Sequence, residues 1–171
     1  MHTPAGHARS LSTACALLMI GLTGADDRTS CDPEQLALTA QAFFDACEYG
    51  KGWNASRAFV DSTAGGGTFS WQVTGSLPGP KYAQINTIKD YTNWMVGVVK
   101  EFGAAATVDV KAHGVHGLTA IYYAVFGGVS DYVYVLQMSG PNPAKMGSSC
   151  KVSSMTKIWN DAYAAKHPPK R

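Results

Sequence analysis

Leu36, Ala40, Phe43, Phe44 and Cys47 recur at three- and four-residue spacing, which lays one apolar stripe along a helix. Ahead of that stripe, Asp32-Pro33-Glu34-Gln35 offers an N-cap, a proline at the first helical position and a glutamine suited to a capping box. Gly50 supplies a stop, so the pattern predicts a helix over 33–49, with Gln41, Asp45 and Glu48 on its opposite face. A shorter helical stretch runs from Trp53 to Val60 and is broken by Ala64-Gly65-Gly66-Gly67. Thr68 to Thr74 then alternates, with Phe69, Trp71 and Val73 on one face, the pattern of a half-buried strand. Gly75 to Pro80 is a loop. Thr87-Ile88-Lys89-Asp90 repeats the capping logic and starts a second long helix. Its Ile88, Tyr91, Trp94, Met95, Val98, Val99 and Phe102 form a core stripe, and Gly103 ends it.

From Ala105 the period changes from 3.6 to 2. Ala106 to Val115, Leu118 to Phe126, Asp131 to Met138 and Cys150 to Trp159 read as four strands joined by turn-rich connections, so antiparallel hairpins are expected. Helices first and a strand meander last make an α+β domain, with helices packed on a strongly curved antiparallel sheet.

The 171 residues are one domain's worth of chain, and 46% hydrophobic with 15% charged residues is ample for a core. A net charge of +2 is too small for a nucleic-acid footprint. The charge is uneven: most basic residues fall after residue 80, ending in Lys166-His167-Pro168-Pro169-Lys170-Arg171, and residues 166–171 read as a solvated basic tail. Residues 11–25 carry no charge, follow Arg9 and end in Thr23-Gly24-Ala25, so 1–25 reads as a secretory signal, too short for a stable membrane anchor. That points to a secreted or periplasmic protein, with a cytoplasmic one as the alternative. Cys31, Cys47 and Cys150 would remain after cleavage. Cys31 with Cys150 is a candidate bridge that geometry must decide, and Cys47 fits a buried helix face. Asn54-Ala55-Ser56 is a lone glycosylation sequon.

Three phrases carry a family resemblance. They are Phe43-Phe44-Asp45-Ala46-Cys47-Glu48-Tyr49-Gly50-Lys51-Gly52-Trp53, Asp90-Tyr91-Thr92-Asn93-Trp94-Met95, and Asp131-Tyr132-Val133-Tyr134-Val135 with Met155-Thr156-Lys157-Ile158-Trp159-Asn160-Asp161. With the order of elements, they make residues 26–165 similar to the SnoaL-like branch of the NTF2-like (nuclear transport factor 2-like) superfamily. The resemblance implies a cone-shaped fold, a bent sheet wrapped round a long helix with a largely apolar pocket at its open end. It also implies cofactor-free proton transfer beside a carbonyl, as in cyclases, isomerases and dehydratases. The superfamily equally hosts binding modules and scaffolds. Two departures, the short connection Gly127 to Ser130 and the ending Lys166 to Arg171, would trim the pocket's rim.

Asp161, just past the last strand, is the position that best fits the acid/base aspartate the resemblance implies; alternatively it caps a terminal helix from Ala162 to Lys166. His113 is a second catalytic candidate. Alternation places it outward with Asp109 and Lys111 unless curvature or a bulge re-aims it. Trp71, Tyr91, Trp94, Tyr123, Tyr132, Tyr134 and Trp159 could line a pocket for a flat ligand and offer donors to a carbonyl, or could simply pack the core. No residue spacing suggests a metal ligand set, a phosphate loop or a nucleophile elbow, so no cofactor is expected. The expected partner is a small hydrophobic or aromatic molecule, with a homodimer through the sheet as a further expectation. The alternative function is a non-catalytic binding or dimerisation module.

Overall fold

The computed structural model describes residues 31–61, 66–73, 82–128, 130–140 and 150–159. Helix α1 spans Pro33–Glu48, α2 Trp53–Ser56 with a 3-10 turn over Arg57–Phe59, and α3 Ile88–Phe102. The strands are β1 Thr68–Val73, β2 Val108–His116, β3 Thr119–Phe126, β4 Ser130–Met138 and β5 Val152–Trp159. Asp32 caps α1 by accepting from the Glu34 amide, as expected, but the Gln35 side chain donates to Thr39 instead of completing a capping box. At α3, Thr87 Oγ1 accepts from the Asp90 amide at 3.0 Å and donates to the Asp90 carboxylate at 2.7 Å, so both ends of that capping signal are used.

The five strands form one sheet in the order β1-β5-β4-β3-β2. The α+β class and the helix-on-sheet layering are as expected. One pairing is not: β1 runs parallel to β5, so the sheet is mixed and not wholly antiparallel. The cause lies in the connection, because the chain between β1 and its partner contains α3 and the whole β2–β4 meander, and a crossover of that kind can return a strand in the same direction.

Pairing register stacks the inward-facing residues in three rows across the concave face. Phe69, Met155, Leu136, Ala120 and Val115 make an apolar row; Trp71, Lys157, Tyr134, Tyr122 and His113 make the next; Val73, Trp159, Tyr132, Ala124 and Val110 make the third. The helices close over these rows. Phe43, Phe44, Ile88 and Met95 are buried between helix and sheet. Gly67 permits the approach of β1 to α3: it has φ +70°, and a Cβ there would lie 2.5 Å from Ile88 Cδ1.

Cys31 and Cys150 are joined by a disulfide with Cα atoms 5.6 Å apart, tying the start of α1 to the entry of β5. Cys47 is a buried free thiol. Residues 1–25, 166–171 and Asp161 lie outside the described residues.

The bridge closes a loop of 119 residues, a constraint that removes a large share of unfolded-chain freedom. Replacing both cysteines by serine, or reducing the bridge, is expected to lower unfolding free energy by up to about 4–5 kcal/mol. Urea unfolding of the intact chain with and without dithiothreitol checks this; coincident curves would contradict it.

Candidate functional site

Helical geometry decides the site's first member. Ala40, Phe44 and Glu48 are spaced i, i+4, i+8, so the glutamate shares the core stripe of α1 and is fully buried. This corrects the expectation that Glu48 faces outward with Gln41 and Asp45. On β5, Met155, Lys157 and Trp159 share one face by strand alternation, which carries Lys157 inward, 2% exposed.

Four side chains from four elements converge there. Tyr91 Oη on α3 donates to Glu48 Oε1 at 2.7 Å, and Tyr134 Oη on β4 donates to Glu48 Oε2 at 2.7 Å. Lys157 Nζ donates to Tyr91 Oη at 2.7 Å and lies 3.6 Å from Glu48 Oε2. The ammonium also stands 3.9 Å from the Tyr132 ring centroid, with the Tyr134, Tyr91 and Trp71 rings further round it. Burial pushes the Tyr91 and Tyr134 phenols well above their ordinary range, and the Glu48 charge adds to the effect. Burial likewise raises the Cys47 thiol. It lowers Lys157, with Glu48 acting in the opposite sense.

The network is closed. Each tyrosine hydroxyl spends its only proton on Glu48, the carboxylate accepts from two phenols and faces the ammonium, and an aromatic face covers Lys157. It therefore holds charge in place, with both phenol protons and both carboxylate oxygens engaged inside the cluster.

Beside it lies an aromatic box. Trp71 makes edge contacts with Tyr82 at 5.3 Å and Trp94 at 5.8 Å; Tyr82 reaches Trp94 and Trp159; and Tyr132 reaches Trp159 at 6.0 Å. The indole Nε1 atoms of Trp71 and Trp159 are buried and have no hydrogen-bond partner among the described residues. Buried polar groups are nearly always paired, so two such donors in one box are unusual.

Of the residues anticipated from sequence, Trp71, Tyr91, Trp94, Tyr132, Tyr134 and Trp159 do come together; the hydroxyls of Tyr91 and Tyr134 serve Glu48, while the Tyr91 ring also touches Trp71 and Trp94. Tyr123 does not join them. It stands on the convex face, exposed, with its hydroxyl on Asp131 at 3.1 Å, because its neighbour Tyr122 takes the inward position. His113 is turned to the concave side by an irregularity between Val110 and Ala112, where Lys111 is left out of the ladder. It stacks on Tyr122 at 5.9 Å but is exposed, three strands from Lys157. At ~4.8 Å per strand it lies ~14 Å from the network. Glu48, Lys157 and Tyr82 are the members that sequence reasoning missed. No group of three or more potential metal ligands occurs among the described residues.

A bent mixed sheet wrapped round a long helix, with the polar cluster at the cone's interior, defines the NTF2-like class of fold. Neither a family model nor a curated protein matches the sequence. Solved structures do match in three dimensions. A SnoaL-like protein of unknown function from Burkholderia thailandensis aligns over 76% of this chain and 98% of its own, with a TM-score of 0.51 at 7% identity. An NTF2-like protein of unknown function from Methylobacillus flagellatus aligns over 74% and 90%, with a TM-score of 0.46 at 14% identity. The first of these likenesses shows that the chain shares the fold of a SnoaL-like protein.

Removing one partner of a buried ion pair strands the other. Lys157→Met is expected to lower stability by about 3–5 kcal/mol, and adding Glu48→Gln to it should recover a substantial part of that loss. Urea unfolding of the two single variants and the double variant tests the coupling; strictly additive losses would contradict it.

Alkaline stability follows from the phenols. Burial holds Tyr122 and Tyr132 up at about 12, so between pH 10 and 12 the folded chain keeps protons that the unfolded chain has released. Stability must then fall as pH rises through that window. Lys157, whose value is lowered, acts oppositely but only below its ordinary 10.5. The urea midpoint is expected to drop from pH 10 to 12, and less steeply for Tyr132→Phe.

Proposed function

We propose that the chain is a binding protein whose concave face takes a flat, hydrophobic molecule bearing a hydrogen-bond acceptor, of the aromatic carbonyl class. The observation that carries this reading is the pair of buried indole N–H groups of Trp71 and Trp159 without partners among the described residues. The rings around them supply apolar area, and the two indoles supply oriented donors, the combination a small-molecule site needs. Binding without turnover is favoured because Glu48, the fully buried acid on the concave side, is already engaged by Tyr91, Tyr134 and Lys157. Conversion of the ligand would require a proton carrier at the mouth, the role for which Asp161 is the sequence's candidate. The Cys31–Cys150 bridge supports work in an oxidising compartment, secreted or periplasmic.

A matched pair of probes separates donor-assisted binding from mere greasiness. 2-Acetylnaphthalene and 2-ethylnaphthalene have nearly the same shape, and only the first carries an acceptor. By calorimetry the ketone is expected to bind about fivefold more tightly, the equivalent of one hydrogen bond of ~1 kcal/mol. Trp71→Phe or Trp159→Phe should erase that preference while leaving hydrocarbon binding largely in place. Equal binding of the two probes by the unaltered chain, or no binding of either, would sink the proposal.

A further inference from the structure

The helices close over the concave side of the sheet, and strand alternation fixes what stands on the convex side. Two neighbouring rows there are apolar at their centres. Tyr123, Val133 and Ile158 form one, and Ile121, Val135 and Thr156 form the next. Ile121 is 47% exposed and Tyr123 37%, while Val133, Val135 and Ile158 are half-buried. Apolar side chains placed side by side across three strands make a contiguous patch, and a patch of this kind marks an interaction face.

Polar groups bound the patch, and they differ at its two ends. Toward the β3–β4 connection, Asp109 and Asp131 stand in one row on either side of Val125. Lys111 donates to Asp109, and Tyr123 Oη donates to Asp131 Oδ1 at 3.1 Å. At the opposite end, His116, Thr119, Gln137 and Ser154 make a row without a carboxylate. Thr119 Oγ1 donates to Gln137 Oε1 at 3.0 Å, which commits the amide oxygen and leaves Nε2 as the donor. The two ends are equally far from the row of Tyr122 and Tyr134 that lies between the apolar rows.

We propose that this face binds a second copy of the chain, the two convex sheets stacked about a two-fold axis that crosses the strands at right angles. Such an axis lays each strand over its own copy, running the opposite way. With the axis above the row of Tyr122 and Tyr134, Tyr123 falls on the second copy's Ile121, and Val133 on its Val135. The ends then match in chemistry: Asp131 meets the second copy's Gln137 amide, and Asp109 comes to its His116. A two-fold axis along the strands would instead set the aspartate end of one copy against the aspartate end of the other, and like charges in apposition are costly. The face thus carries both the acceptor end and the donor end that its own copy requires, and this self-match singles out a second copy as the occupant. Aligned sheets pack with their strands about 30° apart, so contact is closest at the central apolar rows. The area agrees: five strands at ~4.8 Å spacing and about eight residues at ~3.4 Å present roughly 600 Å² in projection, and more with side chains counted, against ~800 Å² per partner in a standard interface.

Sedimentation equilibrium of the full 171-residue chain tests the proposal. A dimer with a Kd of about 10 µM is expected. Ile121→Lys, at the exposed centre of the patch, should weaken it at least about tenfold, with circular dichroism showing that the variant is folded. A charge exchange reads the orientation. Gln137→Asp sets a carboxylate against the second copy's Asp131 and should weaken the dimer about tenfold, and adding Asp131→Asn should restore it. A chain that stays monomeric at about 100 µM, or a dimer that neither single variant weakens, would overturn the proposal. So would a folded double variant that fails to recover. None of these results depends on what the concave face binds.

Discussion

A carboxylate and an ammonium each cost several kcal/mol to remove from water, and that cost is recovered only where geometry and further hydrogen bonds are good. Glu48 and Lys157 are both removed from water almost completely. They come from the first helix and the last strand, so the pair can form only when the two ends of the described fold meet. Tyr91 and Tyr134 bring in α3 and β4 at the same point. The position of both long helices on the sheet is therefore tied to one cluster of oxygen and nitrogen atoms. A shift of either helix along the sheet would break at least one short bond to a buried charge. An apolar core tolerates such slippage more readily, because dispersion contacts are numerous and individually weak.

The same cluster divides the concave face. Beneath it, Phe69, Met155, Leu136 and Ala120 are ordinary core, and above it the rings of Trp159, Tyr132 and Tyr82 lie against one another. The Cys31–Cys150 bridge acts at the core end of the sheet, where β5 begins, and leaves the aromatic end to packing alone. Covalent restraint and buried charge thus both serve to fix the closed part of the cone.

Much of this was legible in the residues. Both long helices, their N-cap residues Asp32 and Thr87 and all five strands follow from periodicity and turn chemistry, with boundaries differing by one or two residues. The aromatic members of the site were also visible, because Trp and Tyr at alternating strand positions stand out. Glu48 was legible in principle: four residues beyond Phe44, it belongs to the core stripe, and only its charge argued for the outer face. Lys157 had the same signal, sharing strand parity with Met155 and Trp159. Other features had no local signature. The irregularity at Lys111 that turns His113 inward depends on pairing with β3, and the parallel partnership of β1 with β5 depends on contacts some 86 residues apart. Tyr82 sits in a short 3-10 turn whose preceding sequence, with its prolines and glycines, has no period to read.

Charge buried in an NTF2-like cone invites a catalytic interpretation, and here the hydrogen-bond directions argue against it. An acid/base group must exchange a proton with its ligand, which requires an open lone pair or a free proton at the ligand's edge. Among the described residues, Glu48 is held by Tyr91, Tyr134 and Lys157, and Lys157 stands against the Tyr132 ring. Breaking either arrangement to receive a ligand would expose an unpaired charge in a low-dielectric interior, a penalty that a weakly bound small molecule cannot offset. The indoles of Trp71 and Trp159 are in the opposite condition. Their donors are already desolvated and still unpaired, so an acceptor arriving there removes a penalty that folding has already incurred. The buried polar atoms without partners among the described residues are therefore not the charged ones but the indole N–H groups of Trp71 and Trp159.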